Sequence, residues 1–302
     1  MKQLFPLHGI VTVLNTPFDK DNKIDLGALQ RNVEEAIKAG VAGFLVPAMA
    51  SEVHKLSNSE RSSMVDLVLQ TVNGKVPVFA GSGGASVLAA KKILKLYLDL
   101  GCCHVLFQLP YSNDKQFKQD FMDLADLGPE VIMLQDWDAT GYGLSDELIM
   151  HLFDAVPAFR CLKVETVPSG IKYSKMLKLS QGQLHVSGGW AVTQMPEALQ
   201  RGVHAFMPTG MHWIYTKIVN DYHKGNSEQA IALFNELLPV LAFSNQHLDI
   251  SIHFFKRLLW KQGIYPTPNV RQPILPFDAM HEKIADGLIE KVIAMEASIK
   301  LS

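Results

Sequence analysis

Cysteine is scarce in this chain. Only Cys102, Cys103 and Cys161 occur in 302 residues, two of them adjacent and none in a C-x-x-C spacing. An odd set of this kind excludes a disulfide framework and a zinc knuckle, and it fits a reducing compartment. Neither sign of charge prevails: 28 Lys and Arg stand against 30 Asp and Glu, a formal net charge of −2. That balance excludes the electrostatic footprint expected of a partner to nucleic acid or to an anionic membrane. "KKILK" (91–95) reads as the wet stripe of one helix. No uncharged apolar run approaches the roughly 18 residues that would cross a bilayer. The glycine-rich nucleotide loops are missing as well. Neither G-x-G-x-x-G nor G-x-x-x-x-G-K-[ST] occurs, and the one glycine cluster, "GSGG" (81–84), lacks either spacing and reads as a tight turn. That disfavours nucleotide binding and an open doubly wound sheet.

The first residues, "MKQLFPLHGIVTVLNTPF", imitate a signal peptide in placing one lysine before an apolar run. Pro6, His8, Asn15 and Pro17 interrupt the run and no A-x-A-like site follows, so we expect a cytoplasmic protein.

What is present is an alternation. Short apolar runs bounded by turn residues are followed by amphipathic stretches: "GIVTVL" then 25–40, "AGFLVPA" then 57–72, "VPVFAG" then 86–101, and "HVLFQLP" then 115–127. The pattern repeats with "EVIMLQD" then 145–156, "FRCLKVET" then 171–180, "LHVSGG" then 195–202, and "HAFMPTG" then 213–225. Ser57 and Glu60 have capping-box spacing, and Pro196 suits a first helical turn. Eight strand–helix units of this length predict an α/β fold, a (β/α)8 barrel over 1–224. Residues 225–302 read as three helices, too short for a large core of their own, and are expected to pack on the barrel as a C-terminal helical extension.

One residue stands out against this pattern. Lys163 lies inside the sixth apolar run, where a lysine head group is out of place without a partner. Side chains alternate across a strand. Leu162 and Val164 suit the helix-covered outer face, which sends Phe159, Cys161, Lys163 and Glu165 to the lumen. In the fifth run the same reasoning turns Ile132 and Leu134 outward and Val131, Met133 and Gln135 inward, with Gln135 near the height of Lys163. Barrel enzymes keep their chemistry at the C-terminal ends of the strands. Desolvation destabilises an ammonium, and a neutral amine attacks a ketone to form a Schiff base, an electron sink for the neighbouring bonds. A structural ion pair with Glu165 is the alternative reading of the same position.

The ordered landmarks "NTPFDKDNKID" (15–25), "ASEVHKLSNSER" (50–61), "QLPYSN" (108–113), "LKVET" (162–166) and "SGGW" (187–190) resemble the dihydrodipicolinate synthase/N-acetylneuraminate lyase family of class I aldolases, from Gly9 to about Arg271. The resemblance implies a TIM barrel, a Schiff base between Lys163 and pyruvate or another 2-oxo acid, no cofactor, and a homo-oligomer, a dimer or tetramer. It also exposes departures. The hydroxyl-bearing loop that holds the substrate carboxylate is here "AMASE" (48–52), with Met49 and Ala50 in place of the hydroxyl residues and Glu52 alone matching outright. The general acid/base tyrosine of the fifth strand is Gln135, with Asp136 beside it, and Gln cannot exchange a proton near neutral pH. Ala139 and Thr140 stand where dihydrodipicolinate synthases carry an arginine, and the second of the paired tyrosines is Ser112, although Tyr111 remains.

The expectation is therefore a divergent Schiff-base lyase, aldolase or dehydratase. Lys163 is the nucleophile, Gln135 and Tyr111 position the reacting hydroxyl or water, and the backbone at Met49 and Ala50 holds the carboxylate. Met49, Trp190 and Met207 read as pocket walls, with ordinary packing as the alternative. Gly188 and Gly189 permit close backbone approach to a ligand, with a plain turn as the alternative. Asp136 reads as a turn or capping residue. A barrel that binds a 2-oxo acid or sugar acid without turnover is the rival function. A metal-dependent barrel hydrolase is disfavoured: 11 histidines occur without H-x-H or H-E-x-x-H, and His104, His185 and His204 fall near strand starts, at the stability end.

Overall fold

A computed structural model of the chain describes residues 2–84, 86–189 and 192–301. Trp190, read above as a pocket wall, lies outside them. Eight parallel strands form a closed barrel in chain order: β1 (Gly9–Val13), β2 (Gly43–Leu45), β3 (Val78–Gly81), β4 (His104–Phe107), β5 (Val131–Asp138), β6 (Phe159–Thr166), β7 (His185–Gly188) and β8 (Ala205–Phe206). The helices are α1 (Leu26–Lys38), α2 (Asn58–Val72), α3 (Val87–Asp99), α4 (Asp114–Ala125), α5 (Asp146–Ala155), α6 (Ser169–Leu179), α7 (Met195–Gln200), α8 (His212–His223), α9 (Ser227–Ser244), α10 (Leu248–Lys261) and α11 (Ala279–Leu301). The expected TIM barrel with C-terminal helices is what the chain forms. Among the described residues no helix is long and apolar enough to cross a membrane.

Local chemistry starts the helices where the sequence marks them. Asp25, Ser57, Ser86, Asn113 and Ser145 each accept a backbone N–H from the first turn of the helix that follows. The capping box of α2 is reciprocal: Glu60 N–H donates to Ser57 Oγ at 3.2 Å, and Ser57 N–H donates to Glu60 Oε2 at 2.8 Å.

Two compact units emerge from the contacts: Met1–His8 with Pro77–Met207, and Gly9–Val76 with Pro208–Ser302. In the first, β3 to β8 pair in sequence, and β5 and β6 share the longest register, ending at Asp138↔Thr166. That pairing carries β5 two residues beyond the run read from sequence. Its register also shifts between Ile132 and Met133, which pair with Phe159 and Cys161 and leave Arg160 over. A bulge of this kind resets the alternation of faces. The expectation that Phe159 shares the face of Lys163 is corrected accordingly: its ring packs 5.3 Å from Phe121 of α4 and 6.1 Å from Phe153 of α5, on the helix side. At the N-terminal ends, the His185 ring stacks on His204 at 5.1 Å and its Nε2 meets Leu7 O at 2.6 Å.

In the second unit β1 and β2 are parallel and pair from Val11↔Gly43 to Val13↔Leu45. The run expected as an eighth strand over 204–210 is extended only at Ala205–Phe206. Pro208 has no N–H to give a ladder, and its carbonyl instead accepts Val13 N–H at 2.8 Å.

Candidate active site

The phase of β5 is settled by Asp136. Its carboxylate is buried against Lys172 of α6, Oδ2 to Nζ at 2.6 Å, and it accepts Leu144 N–H at 2.9 Å. Asp136 therefore faces the helices; it lies within β5, paired with Val164, rather than in a turn as expected, and reaches the loop after the strand only through Leu144 N–H. Its neighbour Gln135 faces the opposite way, into the lumen. Gln135 pairs with Lys163 across β5 and β6, and Lys163 with Ser187 across β6 and β7.

On that face Gln135, Lys163 and Glu165 form one cluster. Lys163 is 5 % exposed, and its Nζ lies 2.9 Å from Glu165 Oε1. The Gln135 side-chain amide donates to Glu165 Oε2. The carboxylate is thus held on one oxygen by an amide and presents the other to the amine. Gly189 makes this possible, because a Cβ there would collide with the Glu165 carboxylate. A Cβ at Gly188 would stand 2.9 Å from the Tyr173 hydroxyl. Both glycines make room for side chains of the protein itself. Gly188 O accepts Met207 N–H at 2.9 Å, and Met207 is 3 % exposed. Gln135, Lys163, Gly188, Gly189 and Met207 are therefore brought together along β5 to β8.

Tyr111 is placed differently. It is 56 % exposed, and its hydroxyl donates to Asp114 at 2.8 Å, a bond that raises the phenol above its usual range.

In the other unit, Met49–Ser51 is a single 3-10 turn after β2, with Met49 and Ala50 half-buried. Its carbonyls are tied back to the segment after β1. Asn15 Nδ2 donates to Ala50 O at 2.7 Å, and Thr16 Oγ1 to Ser51 O at 2.6 Å. Ser51 Oγ bonds Leu14 O and accepts Ala48 N–H. The turn ends at Glu52, in the left-handed region with φ +57°. Glu52 is 3 % exposed and points into the C-terminal elements: Oε1 meets Lys256 Nζ at 2.6 Å, and Oε2 accepts Arg271 N–H at 2.9 Å and Lys55 Nζ at 3.1 Å.

Sequence reasoning missed the hydrogen bond from Gln135 to Glu165 and the burial of Lys256. The first had a signal, since Gln135 and Glu165 were both assigned to the lumen face. Lys256 carries none, because an isolated lysine in an amphipathic helix reads as solvated.

The chain matches the dihydrodipicolinate synthetase family over residues 6–291. It belongs to that family. It is similar to 4-hydroxy-tetrahydrodipicolinate synthase of Xanthomonas axonopodis pv. citri (strain 306), 27% identical over 297 residues, 96% of each chain. It is also similar to L-2-keto-3-deoxyarabonate dehydratase of Azospirillum brasilense, 25% identical over 281 residues, 89% of each. Among solved structures, dihydrodipicolinate synthase from Rhodopseudomonas palustris superposes with a TM-score of 0.88 at 20% identity, covering 96% of this chain and 100% of that one. That likeness carries the fold.

Proposed function

We propose that the protein is a Schiff-base lyase, an aldolase or dehydratase, acting on a 2-oxo acid such as pyruvate or a deoxy sugar acid through Lys163. The observation that carries the proposal is the placement of Lys163, 5 % exposed, between Gln135 and Ser187 on the lumen face near the C-terminal end of β6; its 2.9 Å ion pair with Glu165 is the contact a structural role would also make, and the trapping experiment below separates the two. The similarity to a keto-deoxy acid dehydratase supports a sugar acid among the substrates.

The proposed steps start from that amine. Lys163 gives a proton to Glu165 and the freed amine attacks the C2 ketone. Glu165 returns the proton to the carbinolamine hydroxyl, which leaves as water, and the iminium remains. For an aldolase, the C3–C4 bond then breaks as the C4 hydroxyl loses its proton, and its electrons flow into the iminium to give an enamine. For a dehydratase, a proton leaves C3 to give the enamine, and the C4 hydroxyl departs as it is protonated. Either route needs a group that changes protonation state, which Gln135 is unable to do. Glu165 fills that role, while Gln135 positions the reacting hydroxyl or water; Tyr111, exposed and bonded to Asp114, is left out of the steps. Backbone N–H groups at Met49 and Ala50 hold the carboxylate, and Gly188, Gly189 and Met207 line the substrate. The route calls for no cofactor or metal. We expect a cytoplasmic homo-oligomer, and light scattering checks the assembly.

Borohydride reduction in the presence of pyruvate, followed by mass spectrometry, tests the proposal. An adduct on Lys163 with turnover of a 2-oxo or deoxy sugar acid is the expected result. No adduct rejects Schiff-base chemistry. Adduct without turnover of any such acid favours the second reading, a non-catalytic 2-oxo acid or sugar acid binder, to which the replacement of the β5 tyrosine by Gln135 points.

A further inference from the structure

Trp137 is out of place by its exposure. It lies within β5, where a large apolar side chain is normally covered, yet it is 50 % exposed. The register says where it sits. Asp136, one residue earlier, is turned to the helices by Lys172, so alternation turns Trp137 to the lumen side, in phase with Gln135. Its partner across β5 and β6 is Glu165, as Lys163 is the partner of Gln135. On each strand the two residues are two positions apart, a rise of about 6.6 Å. The four side chains therefore form two rungs: Gln135 and Lys163 inside, Trp137 and Glu165 toward the C-terminal rim. All four belong to the compact unit that holds Pro77–Met207.

The backbone that carries the indole is pinned on both sides. Asp136 is tied to Lys172 and to Leu144 N–H. Asp138 accepts Thr140 N–H at 2.9 Å and Gly143 N–H at 3.2 Å, which closes the loop after the strand. A rigid aromatic on fixed backbone is a preorganised contact surface. Its register partner is a carboxylate, which accepts from hydroxyls and repels a second carboxylate.

We propose that Trp137 is a specificity-determining residue that, with Glu165, selects the distal end of the substrate. The indole covers the C–H face of a carbon chain whose hydroxyls donate to Glu165, so a neutral polyhydroxy 2-oxo acid is preferred to a dicarboxylate of the same length. The inference rests on the reading of Lys163 as the amine that takes the 2-oxo acid. Pyruvate carries one carbon past its ketone and stops at the inner rung. A six-carbon acid carries four and extends along the outer one.

Borohydride trapping on Lys163, read by intact mass across a concentration series, compares pyruvate with three six-carbon acids: 2-keto-3-deoxygluconate, 2-oxohexanoate and 2-oxoadipate. Adducts of the intact and of the cleaved acid are counted together. The unaltered protein should half-saturate with 2-keto-3-deoxygluconate at a concentration about tenfold below either of the other two. Trp137→Ala should raise the half-saturating concentration of 2-keto-3-deoxygluconate relative to that of pyruvate about tenfold, and Trp137→Phe, which keeps a ring, should recover most of the loss. Thermal unfolding and light scattering accompany each variant, and Trp137→Leu supplies the same ratio should Trp137→Ala fail to fold. No adduct with any of the four acids overturns the reading of Lys163 and this inference with it. An adduct with pyruvate alone, or equal half-saturation for the three six-carbon acids, overturns the inference and leaves that reading standing. A ratio unchanged by loss of the indole overturns it too, and a changed assembly mass in the same variant would then assign Trp137 to a contact between copies of the chain.

Discussion

Among the described residues three lysines are buried against a carboxylate, and they are not equivalent. Lys172 is spent in full. Its Nζ meets Asp136 at 2.6 Å, Tyr142 O at 2.9 Å and Leu144 O, with the Tyr142 ring 4.4 Å away. Lys256 is enclosed by Glu52 and the Phe18 ring, with no side-chain exposure. Among the described residues Lys163 has one polar partner, Glu165, and both of those side chains remain 7 % exposed. An ammonium has three donors. Where all are used, the lysine is a bolt. Where one is used and the side chain keeps some exposure, the amine is left within reach of a reacting group. Lys172 differs from Lys163 in coordination; Lys256, whose polar partner is likewise one carboxylate, differs in having no side-chain exposure.

The comparison breaks most sharply at Lys163. Lys163→Ala is expected to abolish both the pyruvate adduct and turnover while moving the unfolding midpoint little, since the change removes one ion pair and leaves Glu165 bonded to Gln135 and still slightly wet. Intact mass after borohydride together with a thermal melt checks this, and retained turnover rejects the mechanism. The next largest effect belongs to Glu165. Glu165→Gln keeps the amide contact to Gln135 in shape but removes the proton acceptor. Turnover should fall by about 10²–10⁴-fold, the usual range for general acid–base catalysis, while slow adduct formation persists. Steady-state kinetics of the variant with Gln135→Glu as the reciprocal control would separate proton transfer from packing.

At Lys172 the loss should be in stability. Lys172→Met strands Asp136 in a site that is 1 % exposed, and breaking such a pair costs about 3–5 kcal/mol. Asp136→Asn with Lys172→Met should recover most of it, read as the shift in urea midpoint at constant slope. If Lys172→Met costs no more than a surface change, the bolt description fails.

How much of this was legible beforehand follows from the kind of signal each feature leaves. The barrel was legible because eight apolar runs with Gly, Pro and Asn punctuation leave few topologies, and the caps at Asp25, Ser57 and Ser145 mark helix starts by chemistry local to four residues. Lys163 and Gln135 were legible through period-two alternation, which needs no partner strand. Phe159 was misread because a bulge is set by the neighbouring strand: nothing in "FRCLKVET" announces that Arg160 is left over against Ile132 and Met133. Lys172 and Lys256 were illegible for a related reason. Their carboxylates lie 36 and 204 residues away in sequence, and helical lysines read as solvated until tertiary contacts bury them. Tyr111 was assigned to the site by resemblance alone, and its own loop spends the hydroxyl on Asp114.

The smallest effects should come from the two most buried histidines, one in each unit. His185, in the unit that holds Lys163, is lowered by burial and by His204 to about 3. His212, in the unit that holds Glu52, is lowered by burial to about 4 and bonds Thr12 Oγ1 and Asn32 Oδ1, each at 3.1 Å. Both are neutral in the folded protein, whereas an unfolded histidine takes a proton below about pH 6.5. Stability is therefore full above that pH and falls as the pH drops, because the unfolded state binds more protons, by up to about 1.4 kcal/mol per pH unit for each histidine. The decline continues until the folded values are reached. Urea unfolding between pH 7 and pH 4.5 should show this slope. His185→Phe should flatten it by about one histidine while leaving the pH 7 value within the range of a core aromatic swap, and a slope unchanged by that substitution would place the acid sensitivity elsewhere. Because His185 lies at the N-terminal ends of the strands, away from the chemistry proposed at Lys163, the same variant should leave pyruvate trapping on Lys163 unaltered at pH 7, so that an effect on acid stability without one on trapping separates the two.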